Sequence, residues 1–145
     1  MTQNVCQFTP DFSCALKHFQ AQPKYAVSPL HNMQVNGHHI LVKDETQRMG
    51  LGAFKALGGP YAIARYIADQ WQQKTGETVT SERLQDADIK AFAAGITFVC
   101  ASAGNHGLGV ASGARDMGAR ARIFLARTVP ESFGRRLESY GAEVV

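Results

Sequence analysis

The stretch Ile96–Ala111, ITFVCASAGNHGLGVA, passes from an apolar run into a loop of small residues and then into a helical pattern. Ile96–Cys100 is short and continuously apolar, which predicts a parallel strand buried on both faces. A helix follows from Gly104 to Met117, with Gly118 as its stop. The alternation then repeats. Arg122–Ala126 (RIFLA) reads as a strand, and Thr128-Val-Pro-Glu131 reads as a capping box with proline near the helix start. That helix runs to Tyr140, Gly141 caps it, and Glu143-Val144-Val145 opens a further strand. Strand–helix–strand–helix–strand at this spacing makes an α/β fold of parallel βαβ units with right-handed crossovers. The loop Ser102–Asn105 lies at a strand's carboxyl end and a helix N-terminus, where open α/β sheets bind ligands and backbone N–H groups favour anions. Ser102, Ala103 and Gly104 are small enough to let a carboxylate approach the backbone. The plainer alternative is a tight turn whose glycines serve packing. A dinucleotide loop fits poorly, because the Gly-x-Gly-x-x-Gly spacing is not met and no acidic residue stands at the following strand end.

Upstream, Val42–Tyr66 (VKDETQRMGLGAFKALGGPYAIARY) runs from a charged strand end through a loop punctuated by Gly50 and Gly52 into a helix from about Ala53. Lys55 falls in the first helical turn, beside Phe54 and small apolar residues. The positive end of the helix dipole and desolvation both disfavour an ammonium there. A neutral amine is what Schiff-base chemistry requires. The plain alternative is a solvated lysine.

The two stretches together, Gly52-Ala-Phe-Lys55 and Ser102-Ala-Gly-Asn-His106, resemble the fold-type II family of pyridoxal-phosphate (PLP) enzymes. The strings LGAFKALGG and ARTVPES are most similar to its diaminopropionate ammonia-lyase branch, with threonine dehydratase-like enzymes close by. The likeness runs from about Val27 to Val145. It implies PLP as cofactor, held covalently by Lys55 with Phe54 beside it. It implies Asn105 on the cofactor's ring hydroxyl and Ser102, Ala103, Gly104, Asn105 and His106 around the substrate carboxylate, His106 being structural and buried. Lys55 would also take the proton from the substrate's Cα. The implied reaction is α,β-elimination on a small amino acid, 2,3-diaminopropionate or a hydroxy amino acid such as serine or threonine, giving a 2-oxo acid and ammonia. Ammonia-lyases of this branch usually carry Asp before Gly-Asn-His, where this chain has Ala103. The family's phosphate-binding loop and its partner for the pyridine nitrogen come later than the residues present here. The rival readings are a β-replacement enzyme of cysteine-synthase type and a catalytically inactive fragment.

The resemblance divides the chain into an N-terminal arm (1–37), the strand and helix carrying the lysine with a linker (38–95), and a small-domain βαβαβ segment (96–145) that breaks off in its last strand. The expectation is therefore an N-terminal piece of a longer protein, which in full length would be a homodimer. Within the arm, Phe12, Ala15, Leu16 and Phe19 share a helical face, and Ser28-Pro29-Leu30 reads as a turn or extended segment. His38–Lys43 (HHILVK) reads as a strand on which His38 and His39 point to opposite faces, which argues against a metal site. Gly58-Gly59-Pro60 should break or kink the lysine helix. A second helix then runs from about Tyr61 to Lys74, with Ile63, Ile67 and Trp71 as its buried stripe. Residues 81–94 read as a helix capped by Ser81.

With 145 residues, 45% hydrophobic and 19% charged, the composition is that of a globular domain. The net charge of +3 is scattered rather than striped, so no nucleic-acid partner is expected. Cys6, Cys14 and Cys100 show no paired spacing and read as free thiols. No apolar run is long enough for a membrane span, and the N-terminus does not resemble a signal peptide. A cytoplasmic protein is the expectation.

Overall fold

The computed structural model describes residues 11–145; Cys6 lies outside them. The elements run α1 (Ser13–Gln20), β1 (Leu30–Val35), β2 (His38–Lys43), α2 (Lys55–Thr75), α3 (Ala87–Ala93), β3 (Thr97–Cys100), α4 (Asn105–Asp116), β4 (Arg120–Ile123), α5 (Glu131–Glu138) and β5 (Ala142–Val144). The three last strands form a parallel sheet, as the βαβαβ reading expects, and their order is β3-β4-β5. Its register pairs Cys100 with Ile123 and Ile123 with Val144. α4 and α5 pack on one face of this sheet, and α2 packs against α4. Ile67, Ile89, Ile123 and Leu137 are the largest side chains wholly enclosed between these layers.

The sheet departs from expectation in its burial. Val99 is 60% exposed, and its row neighbours Arg122 and Glu143 are exposed and bonded to each other, Nε to Oε2, at 2.8 Å. Consecutive right-handed crossovers put both helices on one face, so β3 is covered on one side only. β4 begins earlier than Arg122, because the Arg120 N–H already bonds the Ile96 carbonyl at 3.0 Å. The capping box does not form: Pro130 is the N-cap without a side-chain bond, and Glu131 instead accepts from Arg135 at 2.9 Å.

The expected break at Pro60 is absent. α2 continues through it, because only the bond to the Ala56 carbonyl is forfeited. The packing across α4 holds the turn in place. Ile63 and Ile67 are buried as expected, and Trp71 is half-buried against Phe92, their ring centroids 5.6 Å apart. Residues 81–94 are not one helix. Asp86 is extended at ψ 149°, and the Arg83 guanidinium gathers Glu77, Asp86 and Asp88 within 3.2 Å around a short 3-10 turn.

The strand β1 is the element that the sequence reading left out. It pairs antiparallel with β2, and Asn36 (φ 50°) and Gly37 (φ 81°) make the two-residue turn between them. Positive φ at both central positions marks a type I′ hairpin, for which Asn-Gly is the strongest local signal. Both strands are exposed, His38 and His39 included. Among the described residues no group of three or more His, Cys, Asp or Glu side chains could hold a metal ion. Among them, too, no helix is long and apolar enough to cross a membrane.

α1 docks on α2 with a different face from the one expected. Phe19 and His18 are buried, whereas Phe12 and Leu16 are exposed. The His18 and Phe19 rings lie 5.4 and 6.1 Å from the Tyr61 ring, and His18 Nδ1 shares a 3.1 Å hydrogen bond with Ser81 Oγ. Ser81 is thus the partner of a buried imidazole rather than a helix cap. Burial pushes the His18 pKa below its ordinary 6.5, against a smaller opposing pull from Glu82. A depressed histidine contributes full stability above pH 6.5 and loses it as the pH falls below, because the undocked form binds the proton more readily. The α1 amides should therefore exchange faster at pH 5.5 than at pH 7.5 after correction for intrinsic exchange. The His18→Phe chain should not show that acid acceleration; equal acceleration in both chains would exclude His18 as its source.

Candidate active site

The loop Ala101–Gly104 leaves the carboxyl end of β3 and turns directly into α4. Ser102 and Ala103 are half-buried, and Gly104, Asn105 and His106 are exposed. Gly104 is the N-cap of α4 and supplies no side-chain cap, so the N–H groups of the first turn keep their capacity for an anion. A Cβ built on Gly104 meets nothing within 4 Å, so the space beside that residue is open. A Cβ on Gly107 would lie 1.9 Å from the Ser102 carbonyl oxygen. The loop can fold back on its own helix only because residue 107 has no side chain. Behind the loop, burial pushes the Cys100 thiol pKa up, partly offset by a bond from the Ser102 N–H. That favours an inert thiol over a nucleophile.

Lys55 is the first residue of α2, with Phe54 as its N-cap. The preceding loop turns at Met49, Gly50 and Gly52, all with positive φ, and is pinned by buried Leu51 and Ala53. α2 meets α4 across a glycine seam. A Cβ on Gly109 would lie 2.7 Å from the Lys55 carbonyl oxygen, and one on Gly113 would lie 2.7 Å from Pro60 Cα. The spacing of four residues puts both glycines on one face of α4. The structure therefore brings the turn carrying Lys55 against the turn that follows Asn105.

The expected site residues thus lie at two adjoining helix starts: Lys55 opens α2 behind its N-cap Phe54, and Ser102–Gly104 lead into α4, which begins with Asn105 and His106. Their enclosure is not as expected. Lys55 and Phe54 are exposed, Phe54 by 66%, and His106 is exposed rather than buried. The described residues supply one wall of a site and leave the opposite side open. The residues present fit the reactive end of PLP: an accessible amine at Lys55, an uncapped helix start and an unobstructed loop of small residues. Gly107, Gly109 and Gly113 carry much of this geometry. The sequence reading did not single out this seam; the four-residue spacing of Gly109 and Gly113 was the available signal.

Comparison with known proteins gives the family and the fold. Residues 21–145 match the family described as pyridoxal-phosphate dependent enzyme. The chain is 36% identical over 126 residues to a diaminopropionate ammonia-lyase of Salmonella typhimurium, covering 83% of this chain and 31% of that protein. The crystal structure of holo diaminopropionate ammonia-lyase from Escherichia coli is similar at TM-score 0.75 and 31% identity, covering 91% of this chain and 34% of that one. The same enzyme in complex with D-serine is similar at TM-score 0.72 and 32% identity, over 90% of this chain and 34% of that one. The chain spans about a third of the length of the curated relatives it matches. With a family match over residues 21–145 and a parallel sheet of βαβ units in a fold similar to those structures, this chain belongs to the pyridoxal-phosphate dependent enzymes of fold type II.

Proposed function

We propose that this chain carries the lysine side of the active site of a PLP-dependent ammonia-lyase acting by α,β-elimination on a small amino acid. The observation that carries the reading is the seam at Gly109, which sets the Lys55 turn beside the Ser102–Asn105 loop. Lys55 would hold the cofactor, with Phe54 beside it and Asn105 on its ring hydroxyl. When bound, PLP supplies the electron sink that makes a substrate Cα–H acidic. The residues of this chain do the rest. The N–H groups and small side chains of Ser102, Ala103, Gly104, Asn105 and His106 receive the substrate carboxylate. The Lys55 Nζ, once released to its neutral form, accepts the Cα proton. Loss of the leaving group from Cβ, as ammonia or water, gives free aminoacrylate, and its hydrolysis by water gives a 2-oxo acid and ammonia.

The substrate is 2,3-diaminopropionate or a hydroxy amino acid. The ammonia-lyase relatives support the first, and the D-serine complex of one of them supports a hydroxyl-bearing substrate. Ala103 favours the hydroxy acid, because its methyl group offers no charge to a β-ammonium leaving group. The assignment of residues 1–37, 38–95 and 96–145 to arm, lysine region and small-domain segment belongs to the same reading. So do a homodimeric parent protein and a cytoplasmic location.

The test is addition of PLP, a visible spectrum, borohydride reduction and peptide mapping. The reduced label is expected on Lys55 and lost in Lys55→Ala. Label spread evenly over the lysines would sink the assignment. Because Lys55 and Phe54 stand open to water, the 145-residue chain alone should show little or no lyase turnover even where it takes the label.

A further inference from the structure

Arg48 lies in the loop between β2 and α2, and its side chain is only 9% exposed. Its guanidinium donates from Nε to Glu45 Oε2 at 2.6 Å and from Nη2 to Glu45 Oε1 at 2.8 Å, a two-pronged pair. It also donates from Nη1 to the Ala26 carbonyl at 3.0 Å and from Nη2 to Ser28 Oγ. Ser28 Oγ in turn donates to Glu45 Oε1 at 2.7 Å, and Lys43 Nζ donates to the Ser28 carbonyl at 2.5 Å. One side chain thus ties together the arm at Ala26–Ser28, the end of β2 and the lysine loop. The node fixes the backbone as well. The Arg48 carbonyl accepts the N–H groups of Leu51 at 2.9 Å and Gly52 at 3.3 Å, three residues before Lys55. Holding Glu45 against Arg48 and Ser28 keeps its carboxyl ionised down to about pH 2. Glu45 is therefore charged at ordinary pH.

We infer that Arg48, clamped by Glu45 and Ser28, is a positioning residue for Lys55: it locks the loop Glu45–Gly52 to the N-terminal arm and so sets where the first turn of α2 stands. The inference deepens the reading of Lys55 as the cofactor lysine. No contact between Arg48 and ligand is required. Arginine is needed for the role, since the node takes two parallel donors to one carboxylate plus a third direction toward the Ala26 carbonyl. Lysine keeps the charge and cannot make the fork.

The test compares the parent chain with Arg48→Lys and Ser28→Ala by amide hydrogen exchange and by competitive acylation of the lysines. Lys74, exposed at the far end of α2, is the internal reference. In Arg48→Lys the Leu51 and Gly52 amides should exchange about tenfold faster or more, the loss expected from a charge-assisted anchor. The Lys55-to-Lys74 acylation ratio should shift at least twofold while the amides of α4 keep their protection. Ser28→Ala should move the same two readouts in the same direction by less, and serves alone where Arg48→Lys does not fold. Unchanged loop exchange and an unchanged Lys55-to-Lys74 ratio in a folded variant would overturn the positioning role. PLP labelling of the parent chain separates the two ideas. Failure to label Lys55 there counts against the cofactor reading and leaves the exchange arm of this test intact.

Discussion

Gly107→Ala is expected to lower the thermal midpoint of the chain by about 4–8 °C, the shift that corresponds to a net loss of about 2 kcal/mol in a domain of this size. The new Cβ would stand 1.9 Å from the Ser102 carbonyl oxygen and 3.1 Å from its carbon, with Leu137 Cδ2 at 3.5 Å. A carbon rests against a carbonyl oxygen at about 3.3–3.6 Å, so the overlap exceeds an ångström. Both neighbours in the closest contact are backbone, and no rotamer change relieves them. Either the Ser102–Gly104 loop moves outward or the start of α4 shifts within the core. Overpacking of this kind costs about 1–3 kcal/mol and more when backbone must move. The better helix propensity of alanine offsets only about 1 kcal/mol. Gly104→Ala is the matched control, because the space there is empty and the residue has an ordinary φ of −92°. It should stay within about 0.5 kcal/mol of the parent. A Gly107→Ala midpoint matching that of Gly104→Ala would show that the loop does not depend on residue 107.

The contrast between these glycines shows what sequence reading reaches. The alternation from Ile96 to Val145 is local, so the order of elements and the parallel sheet were legible in it. The positions of Lys55 and of Ser102–His106 at two helix starts were legible for the same reason, helped by a family resemblance. Burial was harder. Val99 and His106 were expected inside, yet which face of a sheet or helix is covered depends on what packs there, and that is not encoded in the strand or helix itself. Pro60 reads as a breaker in isolation and is overridden by the seam with α4. β1 escaped notice because Leu30–Val35 intersperses polar residues among its apolar ones, although Asn36-Gly37 was signal enough. The Arg48 node joins residues 17 and 20 positions apart, a relation that no local pattern carries.

The second large effect is expected at Gly109, where stability and placement of Lys55 can be separated. A Cβ there would lie 2.7 Å from the Lys55 carbonyl oxygen and 3.7 Å from Pro60 Cδ. A Cβ on Gly113 would meet Pro60 Cα at 2.7 Å, Pro60 Cβ at 3.1 Å and Ile63 Cδ1 at 3.3 Å. Both substitutions force α2 off α4, and each should cost about 1–3 kcal/mol against the roughly 1 kcal/mol that alanine adds in a helix. Their effects on the lysine should differ. Gly109→Ala presses on the peptide of Lys55 itself, whereas Gly113→Ala presses on the helix more than one turn further along. Under conditions where both variants remain folded, reductive PLP labelling of Lys55 should fall several-fold in Gly109→Ala and stay near the parent level in Gly113→Ala. The same ranking should appear without PLP as a change in Lys55 acylation relative to Lys74. Equal labelling in the two variants would mean that the seam holds the fold together without placing the lysine. The unequal result would tie the reactive amine to a contact between two backbones, which only a residue without a side chain can make.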